Sequence, residues 1–277
     1  MSAAEQRPII IAPSSGWRPI DFAEMWEYRE LLLILVWRDI KVRYRQTLLG
    51  VIWVVAQPLM TTVIFTLLFN RVAHIEAGSN VPYSLFVMIA LVPWSFFSAG
   101  VNSSSNSLIG SAHLISKVYF PRVIVPAASV VSGFVDMAVT LALVIVMAIV
   151  YRVPFTPQIV LLPIAIAVCA LFSFGIGLWM SALNVEYRDV RVVIPVVMQL
   201  WMYATPVVYP LRLIPQRYQW IAAANPMTPV VESFRAMMLG GEIPWMSLGY
   251  SVAVVAVVLV SGAYYFRRME RLFADVL

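Results

Sequence analysis

Six stretches of this chain, roughly 48–69, 83–106, 123–150, 159–183, 192–209 and 246–266, are long and apolar, and together they contain one full charge, Asp136. Crossing a bilayer as a helix takes about 20 predominantly apolar residues. In hydrocarbon every backbone polar group must be satisfied within the structure, which leaves helices as the answer to this pattern. Composition agrees. The 277 residues are 61% hydrophobic and 12% charged, against about 25% charged in a soluble domain. A single core in water is excluded, and the expected class is an all-α membrane protein with six transmembrane helices. The fifth stretch is the shortest and carries Pro195 and Pro206.

Orientation follows from the cations. With the N-terminus taken as cytoplasmic, 14 of the 19 Lys and Arg residues fall on the cytoplasmic side and 5 on the other. The positive-inside rule then places both termini in the cytoplasm. The densest cluster, Arg38, Lys41, Arg43 and Arg45, lies directly before the first apolar stretch. It serves at least as a topological anchor.

The residues leading into that cluster have a helical pattern. Phe22, Met25, Trp26, Leu33, Val36, Trp37 and Ile40 recur at helical spacing, and Asp21 with Glu24 can cap the start. The run Leu31 to Trp37 is too short to span. An amphipathic helix over 21–46, lying in the cytoplasmic interface, is expected. Residues 1–20 read as a flexible cytoplasmic tail without a secretory signal, and 47–277 as the membrane domain.

Two loops stand out. Residues 107–122, SLIGSAHLISKVYFPR, are short, amphipathic and closed by Pro121. Residues 210–245 form a long excursion on the outer side. Thr228 is placed to cap a helix there, with Pro229 at its first position and Gly240–Gly241 at its end. One or two short helices that enter the outer leaflet without crossing it are expected, and so structured an excursion points to a function.

Catalysis finds no support. There is no G-x-x-x-x-G-K-[ST] loop, no Ser/His/Asp arrangement and no paired carboxylate in a plausible pocket. His74 and His113 are isolated, and Cys169 is the only cysteine, so neither a metal site nor an internal disulfide is expected. Polar groups do recur inside the spans. Trp53, Gln57 and Thr61 share one helical face, and so do Gln199 and Tyr203. Such faces turn towards protein or a hydrated cavity. They either line a pathway for sugars, which stack on rings and bond to amides, or make ordinary interhelical hydrogen bonds. Ser173, Gly177 and Ser181 form a small-residue ladder that favours close helix packing. Asp136 has Ser132 and Thr140 one turn away on its face. A lone acid suits a structural or interface role better than a proton relay.

Four stretches together resemble a known family: DIKVRYRQTLLGVIWVVAQPL (39–59), LISKVYFPRVIVP (114–126), ALNVEYRDV (182–190) and NPMTPVVESFRAMMLGG (225–241). In their order and content they are similar to the transmembrane subunit of type-2 ABC exporters for polysaccharides, the O-antigen and teichoic-acid export permeases.

The resemblance implies six membrane helices with an N-terminal interfacial helix and re-entrant outer helices before the last span. It implies a homodimer in the bacterial inner membrane, bound to two copies of a separate ATP-binding subunit that carries ATP and Mg. This chain would bind no cofactor and no nucleic acid. The substrate implied is a polyprenyl-diphosphate-linked glycan. By the same resemblance, Leu114, Ile115, Lys117 and Tyr119 of loop 107–122 would meet the ATPase. Arg38, Lys41, Arg43 and Arg45 would meet lipid headgroups, with Arg43 and Arg45 on the diphosphate. Trp53, Gln57, Thr61, Gln199, Trp201 and Tyr203 would line the channel. Asn225, Pro226, Pro229 and Arg235, within the outer segment 210–241, would belong to the outer gate. Two rivals are a type-2 ABC permease for another substrate (lipid, drug, teichoic acid or capsule) and a membrane-embedded transferase acting on a lipid-linked sugar.

Overall fold

A computed structural model describes residues 26–45, 50–72, 74 and 81–276. The tail 1–20, the expected helix cap at Asp21 and the first residues of the interfacial helix lie outside that set. Among the described residues there is no strand. The first helix, α1 (Arg29–Arg45), falls within residues 21–46. It leaves Leu33, Ile34 and Trp37 exposed and buries Leu35.

Among the described residues, five helices are long and apolar enough to cross a membrane. They are α2 (Gly50–Phe65, running on as a π-helical stretch to Val72), α3 (Tyr83–Gly110), α5 (Ile124–Val150), α6 (Leu162–Glu186, led in by a 3-10 turn from Pro157) and α10 (Trp245–Val276). Between α3 and α5 sits the single turn α4 (Ala112–Ile115).

The expected fifth span is shorter than the sequence suggests. Helix α7 covers only Val190–Ala204, 15 residues, or about 22 Å at 1.5 Å per residue. The cause is local. Thr205 precedes Pro206, a position biased against helix, and it is extended at φ −98° and ψ 137°. The chain still travels far. The Asn184 amide donates to the Ser105 carbonyl, 2.8 Å, near one end of α3, and the Val208 carbonyl accepts from the Tyr83 hydroxyl at the other. From Asn184 to Val208 the chain therefore runs along α3 for roughly 33 Å, helical first and in turns and bends at the end.

Helix α3 is the centre of the bundle, with α5, α6, α7 and the short helix α9 (Met227–Leu239) around it. Its seam with α6 is made of small residues. A Cβ added at Gly177 would lie 2.6 Å from Ser104 Oγ, and one at Gly100 would lie 2.2 Å from Ser173 Oγ. The Ser173/Gly177/Ser181 ladder is thus a close-packing surface, and all three residues are buried. Helices α6 and α10 also touch backbone to backbone, at Gly175 against Leu259.

The bundle has two distinct ends. At one, the tip end, Leu35 of α1, Ile115 of α4, Phe120, Ile124 and Phe266 and Phe273 of α10 form a second apolar cluster. At the other, residues 211–239 fold into two 3-10 turns, α8 (Gln219–Ala224) and α9. Thr156 donates to the Met237 carbonyl there, 3.1 Å. Helix α9 ends at Gly240, whose φ of +87° suits glycine. Its start differs from expectation. The helix opens at Met227, where the Asn225 side-chain oxygen accepts from the Met227 N–H at 3.0 Å. Thr228, expected as the cap, is already the second residue of the helix, and its buried hydroxyl has no partner among the described residues.

Candidate functional site

The basic cluster is held to the bundle. Arg38 reaches the neighbouring Asp39 at 2.8 Å and Ser111 Oγ at 3.2 Å, at the start of α4. Ser129 of α5 faces Asp39 at 3.5 Å. One turn further, Arg43 and Tyr44 both donate to the carboxylate of Asp136, halfway along α5. Burial and the bond to Asp136 push the Tyr44 phenol above its ordinary range, so it stays a donor. The expected partners of Asp136 do not reach its carboxylate. Ser132 donates to the Ser129 carbonyl and Thr140 to the backbone carbonyl of Asp136, each at 2.9 Å. In a helix these short hydroxyls bond backward to the preceding turn. Lys41 is exposed and has no ion-pair partner among the described residues; the Arg45 side chain lies outside them.

The segment after α4 forms a protruding tip. Ile115 is buried and Leu114 half-buried, so these two anchor it, while Lys117, Val118 and Tyr119 (68% exposed) stand clear. Arg122 locks its base by donating to the Glu270 carbonyl of α10 and lying over the Phe273 ring. A cavity of about 350 Å³ sits behind the tip, between Ser116, Tyr119, Arg122 and Phe273. Two of these exposed residues, Lys117 and Tyr119, are among the four that the sequence points to. Arg122 was not picked, because its function is a contact 148 residues away.

The two polar stripes are open. On α2, Trp53 (60% exposed) and Gln57 face outward, with half-buried Thr61 donating to the Gln57 carbonyl at 2.9 Å. On α7 only Ile194 and Met198 are buried, and Gln199 and Tyr203 are exposed. Trp201 is placed differently from the rest of the expected lining. Its ring meets Phe97 and Phe172 edge-on, at 5.3 and 5.9 Å between centroids, and its N–H goes to Asn225 at 3.0 Å. It lies two residues past Gln199, so helical geometry turns it to the packed side.

The four residues expected at the outer gate lie at the end opposite the tip, where at least Asn225 and Arg235 are structural anchors. Asn225 joins three elements: it caps α9, accepts from Trp201, and donates to Thr205 Oγ1 at 2.8 Å. Arg235, 5% exposed, donates to the carbonyls of Pro206 and Val207 (2.7 and 2.6 Å) and pairs with Glu232 at 2.6 Å. Its guanidinium also lies 3.6 Å from the Phe86 ring centroid. One buried cation thereby fixes the turn-rich strap after α7 onto α3 and α9. Pro229 is buried and Pro226 half-buried, the latter accepting from Ser251 of α10 at 2.8 Å. Among the described residues no cluster of His, Cys, Asp or Glu could hold a metal ion.

Comparison with known sequences gives a consistent result. The sequence model of a family described as ABC-2 type transporter matches residues 30–239. The chain is 28% identical over 251 residues to the O-antigen export system permease protein RfbA of Klebsiella pneumoniae, covering 90% of this chain and 95% of that one. It is 30% identical over 243 residues to the protein of that name from Myxococcus xanthus, covering 87% and 92%. The polysialic acid transport protein KpsM of Escherichia coli is 24% identical over 242 residues, covering 84% and 91%.

Proposed function

The chain belongs to the ABC-2 type transporter family, and from that premise we propose that it is the permease subunit of an ATP-driven polysaccharide exporter. Relatives alike along nearly the whole chain are named for O-antigen export and, at lower identity, for polysialic acid transport. ATP and Mg belong to a separate subunit, since this sequence has no phosphate-cradling loop. The cargo class is a polyprenyl-diphosphate-linked glycan, O-antigen-like.

The observation that carries this reading is the pair of open faces, Trp53/Gln57 on α2 and Gln199/Tyr203 on α7. An amide facing lipid is unfavourable. Two copies of the chain meeting along α2 and α7 would remove both faces from lipid and enclose a lined path. Rings there would stack on sugar C–H faces, and amides would take hydroxyl hydrogen bonds. The tip end is the cytoplasmic one, where Arg38, Lys41, Lys117, Arg122, Arg188, Arg191 and Arg268 gather. α7 with its strap then makes a sixth crossing, both termini are cytoplasmic, and residues 211–239 re-enter the outer leaflet as a gate. The ATPase presses on Lys117 and Tyr119, and its closing stroke reaches the bundle through Arg122 and the α1 contacts at Ser111.

The test is ATPase turnover in lipid vesicles, with the chain alone, with its ATP-binding partner, and with lipid-linked glycan added. Turnover only with the partner, raised by glycan, is the expected result. Modification of the lipid-linked sugar by the chain alone would defeat the reading in favour of a transferase. Full turnover with partner that responds to a lipid or drug and not to glycan would move the cargo to another class.

A further inference from the structure

A second feature lies away from both open faces, on the outer side of α6 and α10. A groove of about 740 Å³ runs between them, walled by Ala256, Val257 and Val260 and floored by Trp179 and Tyr265. The floor is rigid: the two rings stack at 4.4 Å between centroids and 14°. Two of its polar atoms are already used. Trp179 N–H donates to Ser261 Oγ at 3.3 Å, and Ser261 donates to the Val257 carbonyl at 2.7 Å. What the groove offers a ligand is therefore apolar surface along its length, with a charge only at one end.

That charge is Arg268. It is exposed and has no carboxylate partner among the described residues, whereas its neighbour Arg267 pairs with Glu270 at 3.0 Å. From Ala256 to Arg268 the groove extends roughly 18 Å along α10. One leaflet of a hydrocarbon core about 30 Å thick is about half that core in depth. The length fits a single leaflet, and Arg268 falls where its headgroups lie. The leaflet is the one at the tip end, since Arg122 holds the adjacent Glu270 carbonyl there.

We propose that the α6–α10 groove seats one acyl chain of an anionic bilayer phospholipid, with Arg268 pairing with its phosphate. Apolar filling alone would admit any lipid of that leaflet; the exposed guanidinium selects the anionic one. The proposal needs only that α10 spans a bilayer, and it stands apart from the cargo reading.

Trp179 reports on its own groove. The full chain is reconstituted in vesicles containing phosphatidylglycerol or phosphatidylcholine with brominated acyl chains, and Trp179 quenching is taken as the difference between wild type and W179F. Phosphatidylglycerol is expected to associate about fivefold more strongly than phosphatidylcholine, the size of one cation at an anionic surface. R268Q, a change at an exposed residue, is expected to bring that ratio close to one. V260F, which fills the groove, is expected to lower quenching by both lipids. Equal quenching by the two headgroups in wild type, or a preference that survives R268Q, overturns the proposal. Displacement of phosphatidylglycerol from Trp179 by equimolar polyprenyl diphosphate also overturns it, because the groove would then serve the lipid carrier.

Discussion

Arg43 of α1 and Asp136 of α5, 93 residues apart in the chain, form an ion pair, and Tyr44 completes the coordination of the same carboxylate. An aspartate at the centre of a membrane helix costs roughly 2.5–3.5 kcal/mol on insertion scales. The α1 helix supplies both the opposite charge and a hydroxyl, and so offsets that cost. In return the position of α1 depends on α5. A segment that sequence assigns to the membrane surface is pinned to a spanning helix at depth.

Removing one partner is therefore expected to cost more than removing both. D136N and R43Q should each lower stability by roughly 1–3 kcal/mol, since both side chains keep some access to solvent. The double variant should recover part of that loss, with a coupling of about 0.5–3 kcal/mol. Unfolding in detergent across the four proteins checks it. The charge swap R43D/D136R separates two roles. If it restores stability but not glycan export, Arg43 also contacts the cargo phosphate; if it restores both, Arg43 acts through Asp136 alone.

Arg235 is a buried cation with four acceptor contacts counting the Phe86 face, so truncation strands several of them. R235M is expected to destabilise the chain by about 3–5 kcal/mol. Protease cleavage should rise between α7 and α8, where the strap at Pro206 and Val207 loses its clasp. E232Q should also be destabilising, because it leaves the buried Arg235 guanidinium without its counter-charge even though the two carbonyls remain paired.

At the α3–α6 seam, G100A would place its methyl against Ser173 Oγ at 2.2 Å. Overpacking of this kind costs about 1–3 kcal/mol. The next nearest atom, Ser173 Cβ, is at 3.4 Å, an ordinary contact. Hence S173A should rescue G100A, and the melting temperature of the double variant should return most of the way to wild type. Failure of that rescue would mean the seam is held by something other than this steric fit.

The proposed seam between copies can be read by cross-linking. Cys169 is the only cysteine and is buried, so a C169A chain gives a clean background. Q57C and Q199C introduced singly are expected to yield dimers with a bifunctional thiol reagent in native membranes. M198C, one residue from Gln199 but buried against the core, should not. Equal yields at 198 and 199 would remove the α7 face from the interface.

Much of this protein was legible in one dimension. Apolar runs near the length of a bilayer, and cations biased to alternate loops, determine where five helices lie and which loops carry charge, because hydrocarbon tolerates neither exposed backbone nor lone charge. The exposed tip at Lys117 and Tyr119 and the open faces at Gln57 and Gln199 also follow from local pattern, since each depends only on its own turn or helix. Tertiary structure decided the rest. Trp201 sits on the same short helix as Gln199 yet turns into the Phe97/Phe172 cluster, and Arg235 looks like a surface cation in sequence but is clamped inside. Asp136 and Arg43 gave no sign of each other. These roles rest on partners dozens of residues away, and periodicity carries information only about neighbours along one helix; which helix comes alongside is settled by packing.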